Sequence, residues 1–115
     1  MCTVTFVARR RGYALGMNRD EQRSRAPGLP PAVHPAGPLR SLHPSEPTGG
    51  AWVGVNSLGV SFALLNWYSV PNRPHDRPAS RGTIVPALLA TASPGDALRA
   101  LHRLPLDATP PFRLI

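Results

Sequence analysis

Seven of the chain's 15 prolines fall within residues 26–48, APGLPPAVHPAGPLRSLHPSEPT. Proline fixes φ and has no N–H, so helix interiors and central strands exclude it. At this density the segment is expected to be one long loop. Structureless loops of that length inside a compact domain are usually functional or mobile. With 115 residues the chain is at most one small domain, and such a loop leaves little length for regular structure.

The apolar runs on either side carry the expected elements. TVTFVA, residues 3–8, is rich in β-branched residues and reads as a strand, and YALGM, residues 13–17, as its antiparallel return. The turn between them holds Arg9-Arg10-Arg11 and Gly12. AWVGVN, SLG and VSFALLNWY read as a second hairpin turning at Gly59. Its nearly continuous apolar character implies a strand pair covered on both faces. Residues 69–80 read as loop. Thr83 is placed to cap a helix that buries Ile84, Leu88 and Leu89, with Pro86 in its first turn. Ser93-Pro94-Gly95-Asp96 starts a second helix, whose apolar stripe is Ala97, Leu98, Leu101 and Leu104. Pro105 ends it, and Phe112-Arg113-Leu114-Ile115 begins a strand.

The formal charge of +7 invites a nucleic-acid reading. All 13 basic residues are arginine, however, and they are scattered without interleaved aromatics, so nucleic acid is not the expected partner. A single cysteine forms no internal disulfide. TVTFVA is too short for a signal-peptide core, and no apolar run approaches the ~20 residues of a membrane span. The expectation is a cytoplasmic protein. His34, His43, His75 and His102 lie in expected loops or on the second helix without metal-ligand spacing, and are read as solvated. Trp52 and Trp67 are read as packing residues and Arg81 as a solvated arginine, although an anion near the following helix is the other option.

The cysteine is residue 2. Methionine before a small residue is normally trimmed, which leaves Cys2 with a free α-amine. That amine has a pKa of ~7.7–8.0 in model peptides and is able to take the thiol proton. Thiolate is the nucleophilic form, so one residue supplies both nucleophile and base. Two further groups are required: a carboxylate to orient the amine and a donor to hold the oxyanion. The first hairpin returns its second strand beside Cys2 and ends there on Asn18, Arg19, Asp20 and Glu21. Asp20 is the candidate carboxylate, and Arg19 and Glu21 are expected to pair at the surface.

MCTVTFVARRRGYALGMNRDEQRSR resembles the start of the NRDE family, also called the transport and Golgi organisation family. TGGAWVGVNSLGVSFALLNWY is similar to its Gly-Gly-Thr-Trp-Leu-Gly segment and Ala-Leu-Thr-Asn ending, and SRGTIV and FRLI resemble later landmarks. The same residues resemble the N-terminal-nucleophile hydrolases of the bile-salt hydrolase and penicillin acylase type. That resemblance implies Cys2 as nucleophile with its own amine as base, Asp20 as its positioning carboxylate and Asn66 as oxyanion donor. Those hydrolases carry an arginine where this chain has Met17, and Arg19 is expected on the other side of the strand. Ala51 replaces a frequent threonine.

The expected fold is α+β, an N-terminal-nucleophile-hydrolase-like αββα sandwich. Two β-hairpins and two helices would supply its N-terminal half, with a C-terminal half or a second copy supplying the rest. The expected activity is hydrolysis of an amide, ester or thioester through an acyl-enzyme on Cys2, on a small-molecule substrate and without a cofactor or metal. The family resemblance also implies a non-catalytic alternative, a haem or lipid carrier on the same scaffold, and an inactive fragment is the third reading.

Overall fold

A computed structural model describes residues 2–115. Strands β1 (Thr3–Ala8) and β2 (Tyr13–Asn18) form an antiparallel two-stranded sheet. A second sheet contains β3 (Leu29–Ala36), β4 (Leu39–Ser45), β5 (Val53–Asn56), β6 (Ser61–Asn66) and β7 (Phe112–Leu114), in that spatial order and antiparallel throughout. Helices α1 (Ile84–Leu88) and α2 (Pro94–Leu101) lie between β6 and β7 in the chain. The fold is α+β.

The segment 26–48 is not a loop: it holds β3 and β4, and with them a third hairpin. Proline is accommodated because β3 is the edge of its sheet. Ala36 pairs with Leu39 across a two-residue turn, so hydrogen-bonded pairs alternate from there and Pro35 stands opposite Arg40 at a position facing outward. The backbone of Arg40 is accordingly turned toward the neighbouring side, where its carbonyl oxygen accepts from Ser57 N–H at 2.8 Å. Pro30, Pro31 and Pro44 gather where the register shifts, between Leu29↔Ser45 and Ala32↔His43. Two residues oppose one in that bulge, so ladder bonds are already lost there. His34 and His43 are not solvated loop residues either. They stack across this hairpin with ring centroids 4.0 Å apart, and His43 is buried.

The β5–β6 hairpin turns at Gly59, whose φ of 81° lies in the left-handed region. Phe62 and Leu64 share one pleat of β6 and join Ile84, Val85, Leu88, Leu89 and Ala97 in the core. The intervening Ala63 is fully buried too, so both faces of β6 are covered. Asn56 is buried and ties the turn to α1. Its Oδ1 accepts from the N–H groups of Leu58 and Val60, and its Nδ2 donates to the carbonyl oxygens of Leu89 and Thr91.

A 3-10 turn, Arg81–Thr83, precedes α1 and is capped by Ser80, while Thr83 makes no side-chain cap bond to α1. α2 starts as its sequence implies: Ser93 Oγ accepts from Asp96 N–H at 3.1 Å with Pro94 in the first turn. Leu98 departs from the expected stripe. It is more than half exposed: one residue after the buried Ala97, it is rotated ~100° around the helix from the side that enters the core. The first hairpin is held against the start of β6 by Tyr13, whose hydroxyl donates to the Gly59 carbonyl oxygen at 2.8 Å and lies 2.7 Å from Ser61 Oγ. Among the described residues no helix is long and apolar enough to cross a membrane.

Candidate active site

The register of the first hairpin decides what faces Cys2. Thr3 pairs with Asn18, so one step further Cys2 lies opposite Arg19. Directly opposed residues in an antiparallel pair share a face, as do residues two apart on one strand. Cys2, Met17 and Arg19 therefore point the same way, and all three line one cleft of about 260 Å³. Arg19 is not on the far side of its strand from Met17; the two-residue period of the strand puts both on the cleft face. Asn18 is on the opposite pleat and exposed.

Asn66, the last residue of β6, lines the cleft together with Leu64 two positions earlier. Its Nδ2 donates to the Tyr68 hydroxyl at 2.7 Å, which engages one of its two N–H groups. Across the cleft run Ser80, Arg81 and Gly82. Gly82 is pressed against Gly50: a Cβ on Gly82 would stand 3.0 Å from Gly50 Cα, and Ala51 N–H donates to the Gly82 carbonyl oxygen at 2.9 Å. This backbone contact sets the Gly82 segment against the Ala51 end of the cleft. Arg81 is not a solvated arginine. It is half-buried, and its Nη1 donates to the Pro111 carbonyl oxygen at 3.1 Å.

The wall beside Cys2 is a closed ring of charges. Arg19 pairs with Glu21 and with Glu46 at 3.1 Å, and Arg25 pairs with the same two carboxylates at 2.9 and 3.0 Å. Each guanidinium thus stands between two carboxylates and each carboxylate between two guanidinia. Burial pushes the Glu21 carboxyl up, but the hydrogen bonds and charges of Arg25 and Arg19 outweigh it, and its pKa falls below the ordinary 4.5. The Arg19 guanidinium also lies 3.8 Å above the Trp52 ring. The far edge of that ring abuts Gly28, where a Cβ would come within 2.8 Å of Trp52 Cη2. Trp52 is therefore clamped between Arg19 and Gly28 as a wall of the cleft.

Of the residues singled out in the sequence, Cys2, Asn66, Arg19 and Glu21 meet in this cleft. Asp20 is exposed and not among the residues lining it. Removal of Met1 concerns a residue outside those described. Sequence reasoning missed Arg25, Glu46 and the cleft-facing role of Arg81. Glu46 carries a signal in retrospect: it is an isolated carboxylate just before the Gly-Gly pair that brings Trp52 into place. Among the described residues no group of three or more His, Cys, Asp or Glu side chains is placed to hold a metal ion.

Comparison with curated proteins finds no match, and comparison with solved structures finds none. The model of the family described as transport and Golgi organisation 2 matches residues 1–115. The match takes in every residue that lines the cleft, from Cys2 to Pro110. The chain belongs to the transport and Golgi organisation 2 family.

Proposed function

We propose that the chain carries the nucleophile of an N-terminal-cysteine hydrolase that cleaves a small amide, ester or thioester. The observation that carries this reading is the shared cleft of Cys2 and Asn66, a thiol and a neutral amide donor on separate sheets. With Met1 removed, the Cys2 α-amine accepts the thiol proton and the thiolate attacks the carbonyl carbon. The C–S bond forms, the carbonyl oxygen takes the charge, and the free N–H of Asn66 is the donor for it. Collapse breaks the bond to the leaving group, which departs with the proton held by the α-ammonium. Water, deprotonated by the same amine, then releases the acid and regenerates the thiol. Asp20 is assigned to orient the α-amine.

The cleft, about 260 Å³ and lined by Arg19, Arg25, Arg81, Glu21 and Glu46, suits a short polar acyl compound. The same reading takes residues 1–115 as the N-terminal part of an αββα sandwich, with further catalytic groups coming from another segment or a second copy. The exposed apolar side chains of the first hairpin, Phe6, Val7 and Tyr13, support it, since such a surface invites a packing partner.

Intact mass before and after brief exposure to a mild acylating ester tests the chemistry. The expected result is a chain lacking Met1 that gains one acyl group on Cys2, with labelling abolished by denaturation. Retained Met1, or labelling no faster than that of a free cysteine, would overturn it. A Soret shift on haem titration would favour the carrier.

A further inference from the structure

Three arginines and two glutamates line the cleft, and they are not equivalent. Arg19 and Arg25 are each neutralised within the four-membered ring with Glu21 and Glu46. Arg81 stands outside that ring. Its partner is a neutral one, the Pro111 carbonyl oxygen, which occupies Nη1 alone. A guanidinium has five N–H donors in a rigid fork. Among the described residues Arg81 therefore has no ion-pair partner, and it lies half-buried on a cleft wall, where water screens it less than at the surface.

Such a group matches an oxyanion, and a carboxylate is the oxyanion that a short acyl compound carries. A planar fork with one Nη engaged still presents its other edge to two oxygens of a carboxylate. The ring is neutral, so the net charge of the cleft's side chains is that of Arg81, beside the α-amine of Cys2 once Met1 is removed. We infer that Arg81 is a specificity-determining residue and that the substrate is a short acyl compound bearing a carboxylate. The carboxylate sits on Arg81 and the scissile carbonyl faces Cys2. The position of the scissile bond rests on the hydrolase reading; the carboxylate subsite does not.

Two measurements separate the two. The Cys2→Ser chain is titrated calorimetrically with succinate, alone and with Arg81→Gln or Arg81→Lys added. The expected result is binding that weakens about ten- to a hundred-fold in R81Q and less in R81K, the range of a charge-assisted pair. In the unsubstituted chain the Arg81 Nε resonance shifts on saturation with succinate, a readout that needs no substitution to fold. Absence of succinate binding, or binding indifferent to R81Q, overturns the subsite. Cys2 acylation is then compared for succinyl p-nitroanilide and the near-isosteric neutral 4-methylpentanoyl p-nitroanilide. A preference for the succinyl compound that collapses in R81Q supports the inference. Equal acylation by both overturns the inference and leaves the hydrolase reading standing. Arg81-dependent succinate binding without acylation by either overturns the hydrolase reading and leaves the subsite standing.

Discussion

Leu89 is packed directly over Gly54. A Cβ built on Gly54 would stand 2.7 Å from Leu89 Cδ1 and 2.8 Å from His43 Cβ, so β5 is roofed by α1 at the one residue that has no side chain. Both neighbours are buried and have nowhere to go. Gly54→Ala is expected to destabilise the chain by about 1–3 kcal/mol through overpacking. Urea denaturation measures it, and an unchanged midpoint would mean that the roof over β5 yields freely.

Asn56 makes four hydrogen bonds from a buried position, two in the turn and two to the end of α1. Asn56→Asp keeps the acceptor and the shape but replaces two donors by a charge facing the carbonyl oxygens of Leu89 and Thr91. The expected loss is about 2–3 kcal/mol. Hydrogen exchange should accelerate at Leu89 and Thr91 more than at Leu58 and Val60. Uniform acceleration would show that Asn56 is merely filling space.

Glu21 belongs to the charge ring with Arg19, Arg25 and Glu46. Its folded pKa is lowered, so it contributes stability that is fully present above the unfolded value of 4.5 and is lost as pH falls through the lowered folded value. Glu21→Gln should therefore flatten the acid limb of the stability profile below 4.5. At neutral pH the loss should be modest, because each of these pairs retains solvent contact. Melting temperature followed against pH gives the comparison; parallel profiles for the two chains would remove Glu21 from the acid transition.

Asn66 and Tyr68 separate the two uses of one amide. If the amide holds the oxyanion, Asn66→Ala should slow acylation of Cys2 by about 10²–10³-fold. Tyr68→Phe, which removes only the hydroxyl that Asn66 meets at 2.7 Å, should leave the rate within about twofold of the original. Stopped-flow release of p-nitrophenol reads both.

Elements fixed by near neighbours were legible in the sequence. The hairpin over residues 3–8 and 13–17 (extended one residue to Asn18), the Gly59 turn and the Ser93 cap each depend on residues a few positions apart. The β3–β4 hairpin was not, because proline is tolerated or excluded according to which way a lost N–H would point. That direction depends on the register with β4, a pairing no local pattern reports. Of the cleft, Cys2 and Asn66 were legible in the sequence, but its charged wall was not. The contact of Arg19 with Glu46 spans 27 residues, and that of Arg81 with Pro111 spans 30. Both need the sheet to exist first. The expectation for Arg19 failed on a simpler point, since residues two apart on a strand share a face.

The placement of the prolines also governs how this molecule meets other copies of itself. A sheet with bare borders is a template on which further strands are laid down, the first step toward fibrils. Along the β3 border Pro35 has no donor to offer an incoming strand, and the Pro30-Pro31 bulge bends the ribbon out of line. The residues that hid β3 from view in the sequence are the ones that keep its free edge from being extended.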